Sequence, residues 1–368
     1  MRQLVFMGVR KLRWVEVPEP LLQGPGDALV RPIAVARCDL DAAWMRYPVG
    51  PLLRAALAAH QADPACCAIG GTPPYAPPFA VGHECVAEIV ALGDAVTGFA
   101  IGQRVIVPFQ IACGQCVNCA RGFTSRCTSG PLPVTTFGFG PGAKLHGGVL
   151  ADLVRVPHAG AMLVPLPANV HPNAVASASD NLVDGYRSVA PALAARPGER
   201  VLLVGGAAKS VGLYAAATAK ALGAEVDYTD VDRERLEIAE KLGLHALPMP
   251  TKGKPLPLRY AISVDASSDF GGRGLELALR SLDVGGSCTT VGIYSRSRTP
   301  IPLMQMYRDG TSLHTGITNA RPIIPKVLEL VAKGALDPEP VTTLLAPWDD
   351  ADSAFLERTT KVVVSRAG

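Results

Sequence analysis

Residues 200–222 have the sequence RVLLVGGAAKSVGLYAAATAKAL, in which a short apolar run meets a glycine pair and then an alanine-rich segment. The apolar run predicts a buried strand over residues 200–205, and the segment after the turn predicts a helix over residues 211–222. A strand, a turn of small residues and a helix form the opening unit of a dinucleotide-binding fold. The usual G-x-G-x-x-G spacing is not intact, so the assignment depends on the flanking sequence.

The flanking sequence repeats the strand-and-helix alternation. Strands are predicted at residues 225–230, 260–266, 287–292 and 312–317, and helices at 232–242 and 274–282. This alternation predicts a parallel, doubly wound α/β sheet. A helix over 323–333 and a strand over 361–365 complete the chain.

The first half of the chain has a different pattern, rich in predicted β-structure. Apolar runs separated by glycine and proline predict strands at residues 28–36, 85–91, 104–109 and 151–157. Residues 111–148, which are rich in cysteine, glycine and proline, are expected to form irregular loops.

The glycine turn and the next strand supply candidate coenzyme contacts. Gly205 and Gly206 allow the backbone to approach a pyrophosphate, and Ser210 and Val211 lie where the helix N-terminus would face it. Asp230 ends the next strand. A carboxylate there can accept both ribose hydroxyls and repels a 2′-phosphate, which favours NAD over NADP.

Composition and charge narrow the functional class. The 368 residues are 48% hydrophobic and 18% charged, which suits two globular domains. The net charge of +3 has no clustered basic run, so neither nucleic acid nor a membrane is an expected partner. The first twenty residues lack a long apolar region, so no secretory signal is expected and the cytoplasm is the expected location.

Four of the nine cysteines lie close together as Cys113-x2-Cys116-x2-Cys119-x7-Cys127. Four thiolates at this spacing can close a tetrahedron around a structural zinc ion and leave no position for a substrate. An iron–sulfur cluster is the alternative, because it also takes four thiolates. Four unrelated buried cysteines would be a third explanation.

A second group of potential ligands is dispersed: Cys38, the pair His83-Glu84 and Asp180. Each residue alone is more often a buried or hydrogen-bonded side chain than a metal ligand.

In this order, the two groups together resemble the zinc-dependent medium-chain alcohol dehydrogenases. The resemblance also includes residues 93–107 (GDAVTGFAIGQRVIV, with Gln103 in place of a common Asp), residues 148–157 (GVLADLVRVP) and the C-terminal strand. It extends over nearly the whole chain. It implies a GroES-like catalytic domain beside a Rossmann domain, a substrate bound between them, and a homodimer or homotetramer.

The resemblance also implies roles for individual residues. Cys38, His83 and Asp180 would bind a catalytic zinc, with Glu84 as a nearby or exchanging ligand, and the four-cysteine lobe would bind a structural zinc. Asp180 corresponds to the Asp variant of a ligand that is otherwise Cys. Arg235 would lie near the ribose, and Gly292 with Ile293 would form the nicotinamide-side segment.

The sequence departs from the family at the proton relay. Leu40 and Ala43 stand where relatives commonly have a Ser or Thr hydroxyl and a His. Asp41, Asp39 or a residue of an insertion would have to replace them. Asp41 corresponds to an Asp in many relatives that more often supports structure than chemistry.

The spacing between Cys38 and His83 indicates an insertion. Cys38 and His83 are 45 residues apart, about twice the distance that the resemblance implies, so about two dozen extra residues lie within 44–77. They include a predicted helix at 51–61, His60 and Cys66-Cys67. A lid or wall over the substrate site is one interpretation, and a surface excursion or subunit contact is the other.

We therefore expect a catalytic domain of residues 1–178 completed by 319–368, and a Rossmann domain of 179–318. The leading hypothesis is a zinc-dependent oxidoreductase that transfers a hydride between NAD(H) and a small alcohol or carbonyl substrate. A reductase of activated C=C or iminium groups and a catalytically silent binding or scaffold protein are the alternatives.

Overall fold

The computed structural model describes residues 1–251, 256, 258–269 and 271–366. The strands are β1 (Arg2–Gly8), β2 (Lys11–Glu16), β3 (Ala28–Ala36), β4 (Phe79–Ala80), β5 (Glu84–Leu92), β6 (Arg104–Val107), β7 (Val154–Val156), β8 (Val164–Pro165), β9 (Val201–Val204), β10 (Val226–Asp230), β11 (His245–Pro248), β12 (Tyr260–Asp265), β13 (Leu282–Thr290), β14 (Ser312–His314), β15 (Leu344–Pro347) and β16 (Val362–Ser365).

The α-helices are α1 (Asp39–Arg46), α2 (Val49–Ala58), α3 (Cys67–Gly70), α4 (Val117–Ala120), α5 (Gly140–His146), α6 (Ala159–Met162), α7 (Asn181–Ala195), α8 (Lys209–Ala221), α9 (Arg233–Lys241), α10 (Arg273–Arg280), α11 (Leu303–Asp309), α12 (Ala320–Ala332) and α13 (Ala351–Ala354). Short 3-10 helices lie at Pro64–Cys66, Thr124–Arg126, Pro172–Ser179, Glu339–Val341 and Trp348–Asp350. Within the described residues, no helix has both the length and the apolarity needed to cross a bilayer.

The chain divides into two compact units. Unit 1 contains Met1–Asp180, Asn319–Ala332 and the residues from Thr342, and unit 2 contains Asn181–Thr318 and Lys333–Val341. The sequence-predicted domains differ from these units at two places: residues 179–180 lie in unit 1, and residues 333–341 lie in unit 2.

Unit 2 is built on a six-stranded sheet with the order β11-β10-β9-β12-β13-β14. Every neighbouring pair is parallel, so the predicted doubly wound sheet is confirmed. The first strand, β9, is central because all four of its residues are apolar and fully buried. A core of buried side chains, including Leu202, Tyr260 and Leu279, forms on this sheet.

Small residues allow close packing around β9. A Cβ added to Gly206 would lie 2.6 Å from the Ser267 Cα, and one added to Gly185 would lie 2.7 Å from the Ala215 amide nitrogen. Gly206 therefore lets the turn after β9 approach the chain after β12, and Gly185 lets α7 approach α8.

Unit 1 is β-rich, as predicted. One sheet has the order β2-β1-β4, and a larger one has the order β15-β16-β3-β5-β6-β8, with β7 also paired to β3. The antiparallel pair β3 and β5 places Ala36 opposite Glu84. The end of β3, just before Cys38, therefore lies beside the start of β5, just after His83.

Several elements differ from the sequence predictions. Residues 111–148 contain the helices α4 and α5 and are not wholly irregular. The insertion helix spans Val49–Ala58 rather than 51–61, and β14 ends at His314 rather than residue 317. The helices α1, α7 and α11 were not predicted.

Candidate metal centres and coenzyme site

Four buried ligand-type side chains of unit 1 meet at one point. Cys38 precedes α1, His83 precedes β5, Glu84 begins β5, and Asp180 follows the 3-10 helix Pro172–Ser179. One ligand atom from each lies within 4.8 Å of all the others, and none of the four residues is more than 8% exposed. The structure thus brings together the four residues that the sequence separates by up to 142 positions.

The spacing suits a tetrahedral ion. The His83 Nε2 atom is 3.2 Å from the Asp180 Oδ2 atom. Two ligands at about 2.0 Å from one zinc ion lie roughly 3.3 Å apart at the tetrahedral angle. Sulfur, imidazole nitrogen and carboxylate oxygen are all donors that zinc accepts. Cys38, His83 and Asp180 therefore fit a zinc site with one position left open.

Asp41 lies on the other side of the His83 ring. Its Oδ2 atom is 3.5 Å from the His83 Nδ1 atom, and its side chain is fully buried. Among the described residues, neither Asp41 oxygen has a hydrogen-bond partner. A histidine that binds metal through one nitrogen commonly donates its other N–H to a carboxylate, so Asp41 is placed to orient His83.

Glu84 is held by a lysine from the far end of the chain. The Lys361 ammonium donates to Glu84 Oε2 at 2.6 Å and to the Arg37 carbonyl at 2.9 Å, and the Ser177 hydroxyl donates to the same Glu84 oxygen at 2.9 Å. Both charged side chains are fully buried. These donors engage Oε2, so the Glu84 carboxylate neutralises Lys361 at the edge of the cluster.

The cluster is electrostatically crowded. Burial raises the pKa of the Cys38 thiol well above its usual value, and the carboxylates of Asp180, Asp41 and Glu84 raise it further. Burial alone would lower the pKa of His83, but the nearby carboxylates raise it to about 9. A divalent cation at this point would neutralise the repulsion and displace the protons, as expected of a metal site.

The second centre is the lobe formed by Cys113, Cys116, Cys119 and Cys127. One sulfur from each lies within 4.8 Å of the others, and the Cys116 and Cys127 sulfurs are 4.0 Å apart. Two thiolates about 2.3 Å from one zinc ion lie roughly 3.8 Å apart. In a four-iron cluster each thiolate binds a different iron, which spreads the sulfurs further. The distances therefore favour a single ion.

Donor groups surround these sulfurs. The Cys113 sulfur accepts from the amides of Gln115 and Cys116 and from the Ser129 hydroxyl, at 3.1–3.4 Å. The Thr128 hydroxyl and amide lower the pKa of Cys116 to about 5. Donors to sulfur favour the thiolate, which is the metal-binding form. Cys113 and Cys116 therefore favour the thiolate before metal binds, whereas burial raises the pKa of Cys119 to about 12.

The predicted coenzyme residues of unit 2 lie at the carboxyl ends of the parallel strands. Gly205 and Gly206 follow β9, Asp230 ends β10, and Gly292 follows β13. This edge of a doubly wound sheet is where nucleotides bind. The helix α8 begins at Lys209, so its amino end also faces this edge.

Asp230 has more partners than the sequence indicated. Arg235 donates to both of its oxygens at 2.6 and 2.7 Å, Tyr228 donates its hydroxyl at 2.9 Å, and the Asp232 amide donates at 2.9 Å. Asp230 is 1% exposed, and a Cβ on Gly205 would approach its Oδ2 atom to 2.2 Å. A ribose hydroxyl would have to replace one of these donors.

The other coenzyme candidates have contacts that define their positions. Ser210 is fully buried and its hydroxyl donates to the Asn181 side-chain oxygen at 3.2 Å, while Val211 is buried beside it. The Ile293 amide donates to the Ser268 hydroxyl at 3.2 Å, and its side chain is exposed. Ser210 and Val211 therefore pack the turn, whereas Ile293 presents a surface next to Gly292.

Comparison with known sequences identifies the family. The pattern of the alcohol dehydrogenase GroES-like domain matches residues 24–168, and that of the zinc-binding dehydrogenase matches residues 210–333. An L-threonine 3-dehydrogenase of Idiomarina loihiensis is 30% identical over 290 residues, which cover 76% of this chain and 79% of that protein. The chain belongs to the zinc-dependent medium-chain alcohol dehydrogenase family.

Other relatives of this alcohol dehydrogenase family match over more of the chain. A probable zinc-binding alcohol dehydrogenase of Mycobacterium tuberculosis is 27% identical and covers 96% of this chain and 84% of its own length. The solved structure of an alcohol dehydrogenase from Thermus sp. ATN1 superposes with a TM-score of 0.78 at 28% identity, over the full length of both chains. The family, the fold class and the oxidoreductase activity expected from the sequence are confirmed.

Sequence reasoning missed the residues that support the ligands of this dehydrogenase. Lys361 was predicted only as the start of a strand, and Ser177 was not singled out. Tyr228, which holds Asp230, also escaped notice. No spacing rule links these residues to their partners, because the 277 positions between Glu84 and Lys361 are brought together only by the sheet. An isolated lysine before the apolar residues of β16 was the one available indication.

Proposed function

We propose that this chain oxidises a small alcohol, or reduces the corresponding carbonyl compound, by hydride transfer with NAD(H) as coenzyme. The observation that carries the proposal is the donor set of Cys38, His83 and Asp180, which leaves one tetrahedral position for an oxygen ligand. A zinc ion bound there would polarise a carbonyl or stabilise an alkoxide. The four-cysteine lobe would hold a second, structural zinc ion.

The surrounding residues keep this donor set in place. The Asp41 carboxylate lies 3.5 Å from His83 Nδ1, on the side of the ring opposite the Nε2 atom that faces Asp180. Lys361 and Ser177 hold Glu84 at the edge of the cluster. These contacts fix the ligand directions within a buried site, and fixed ligands lower the reorganisation needed during the reaction.

We propose that NAD is preferred to NADP. Asp230 and Asp232 give the end of β10 two carboxylates against one buried arginine, Arg235, and a 2′-phosphate would be repelled by the excess negative charge. Replacement of Asp230 by Ala should reduce the ratio of NADH to NADPH affinity, measured by fluorescence titration of the apoenzyme. An unchanged affinity ratio would contradict the role of Asp230 in the preference for NAD.

A second candidate function is reduction of an activated C=C or iminium group. Leu40 favours it, because a leucine at this position cannot relay the proton of an alcohol. In that reaction the zinc would shape the site without ionising an alcohol. The substrate would still be a small molecule.

We also propose that the protein acts in the cytoplasm as a homodimer or homotetramer, without nucleic acid or membrane partners. The location is supported by the nine cysteines, none of which is joined in a disulfide, as suits a reducing compartment. The assembly is suggested only by the family.

The zinc-loaded protein should be tested with alcohols, aldehydes, ketones and enals, with formation or consumption of the reduced coenzyme as the readout. Turnover of alcohols or carbonyls is the expected result. Turnover of enals or iminium compounds alone would favour the second candidate. Full zinc occupancy with no turnover of any substrate class would contradict both.

A further inference from the structure

The insertion forms one side of a cavity in unit 1. The cavity has a volume of about 210 Å³. Its walls come from residues 70–73, 75 and 76 of the insertion, from Phe79, and from Gly140, Pro141 and Lys144 of α5. No acidic side chain lines it among the described residues, and the aromatic and proline groups make much of the wall apolar. A cavity of this size and lining suits a compact organic molecule.

Tyr75 is the distinctive residue of this cavity. It is only 8% exposed, and its backbone has a φ of 48°, in the left-handed region that residues other than glycine rarely adopt. Its ring stacks on the Trp44 ring with centroids 5.8 Å apart. A Cβ added to Gly70 would lie 3.1 Å from the edge of the Tyr75 ring. A strained, tightly packed side chain that lines a cavity is typical of a functional position.

The phenol of Tyr75 is a hydrogen-bond donor without a partner. Among the described residues, no side chain or backbone group forms a hydrogen bond with it. Burial raises the pKa of Tyr75, and the charges of Asp41 and Cys38 raise it further. The phenol therefore keeps its proton at neutral pH. Tyr75 lines the cavity, so its hydroxyl, which has no partner within the described part of the chain, can donate to an oxygen of a bound molecule.

Two packing contacts connect the cavity with the metal cluster. Trp44, on which Tyr75 stacks, belongs to α1, the helix that begins directly after Cys38. Phe139 precedes the cavity residue Gly140, and its ring packs edge-on against the His83 ring with centroids 4.7 Å apart. The influence of Asp41 and Cys38 on the phenol agrees with this placement. The cavity is therefore bordered by two segments that also contact the ligand set.

We propose that the Tyr75 phenol donates a hydrogen bond to an oxygen of the substrate, and that this cavity accepts the substrate's apolar body. The inference rests on the proposed dehydrogenase function and narrows its substrate class to compact alcohols and ketones with an apolar ring or branched chain. Polyols are disfavoured, because their hydroxyls would lose water against Phe79 and the proline rings. The insertion thus supplies a substrate-facing hydroxyl in a chain that has leucine at position 40.

Binding of cyclohexanol to the zinc-loaded protein tests this role without turnover. Tyr75→Phe keeps the ring and removes only the hydroxyl, and Tyr307→Phe is the matched control because Tyr307 is 82% exposed. By calorimetry, Tyr75→Phe should weaken cyclohexanol binding about fivefold, as expected for one hydrogen bond. Tyr307→Phe should bind as the wild type does. No saturable binding to the wild type, or equal binding to Tyr75→Phe, would overturn the proposal.

A second variant keeps the test decisive if Tyr75→Phe does not fold. Ala76→Leu narrows the cavity and leaves the phenol intact, so it should exclude cyclohexanol. Unchanged cyclohexanol binding by Ala76→Leu would also overturn the proposal. If cyclohexanol binding depends on Tyr75 but no alcohol is turned over, only the proposed function is contradicted. If the wild type turns over alcohols and Tyr75→Phe does so with unchanged kinetics, only the role of Tyr75 is contradicted.

Discussion

The two metal centres of this chain have the same number of ligand-type residues but differ in how they are built. The four-cysteine lobe takes its ligands from fifteen consecutive residues, and three of its four cysteines are only half-buried. The cluster of Cys38, His83, Glu84 and Asp180 draws on four separate segments and is buried throughout. The lobe uses one kind of donor, and the cluster uses sulfur, nitrogen and oxygen.

The difference shows what each centre requires from the fold. The lobe meets its needs locally, through backbone amides and hydroxyls that face the sulfurs. The cluster needs a second layer of charged residues, Asp41 and Lys361, which burial makes costly to leave unpaired. A closed set of four thiolates suits a structural ion, and a supported mixed set with an open position suits a catalytic one.

The largest effect is expected from removal of a cluster thiolate. Cys38→Ala should lower kcat/KM by at least about a thousandfold, because the metal contributes several kcal/mol of transition-state stabilisation. The lobe should keep its zinc. Cys288→Ala is the matched control, since Cys288 is equally buried but lies in the core of unit 2. Full activity of Cys38→Ala, measured by steady-state kinetics, would show that the cluster is not catalytic.

The second-largest effect is expected from loss of the buried Lys361 ammonium, which should destabilise the fold around the cluster. Lys361→Met leaves the Glu84 carboxylate buried without its ion-pair partner, which should cost about 3–5 kcal/mol of unfolding free energy. The double variant Glu84→Gln with Lys361→Met should recover part of that loss. Denaturant unfolding of the wild type, the two single variants and the double variant measures the coupling. Strictly additive effects would mean that the 2.6 Å contact contributes no net interaction.

Loss of the lobe metal should affect stability more than chemistry. Cys116→Ala should release the lobe zinc and lower the melting temperature by roughly 5 °C, because a structural metal ion stabilises the folded state. The kcat per folded molecule should fall less than in Cys38→Ala. Calorimetry and kinetics on the same preparation separate the two effects. If Cys116→Ala is as inactive as Cys38→Ala, the division into a structural and a catalytic centre is contradicted.

A smaller effect is expected at the residue behind the ligand. Asp41→Asn preserves the shape of the side chain but removes its charge from the His83 Nδ1 side. The zinc affinity of the cluster should fall about 10- to 100-fold, as measured by competition with a chelator, while the lobe keeps its affinity. Asp39→Asn serves as the control, since Asp39 begins the same helix but is not among the charges that act on His83. Equal affinities in both variants would limit Asp41 to a packing role.

The same contrast explains which parts were predictable from sequence. The lobe was recognisable because its ligands are neighbours in the chain, and β9 with α8 because apolar residues, glycine and alanine follow one another in order. Helix α7 was missed because it contains Gly185 and Pro191, which sequence rules treat as helix breakers. Gly185 is tolerated there because α8 packs against it. The pairing of Lys361 with Glu84, and of Arg235 with Asp230, depends on burial that only the folded chain provides.

The most direct test of the central claim counts the zinc ions held by the intact protein. Native mass spectrometry should find two ions in the wild type, and one each in Cys38→Ala, Asp180→Ala, Cys116→Ala and Cys127→Ala. Of these four variants, only Cys116→Ala and Cys127→Ala should retain coenzyme-linked turnover. Two ions in Cys38→Ala and Asp180→Ala, or turnover that survives in both, would contradict the account of one catalytic and one structural centre.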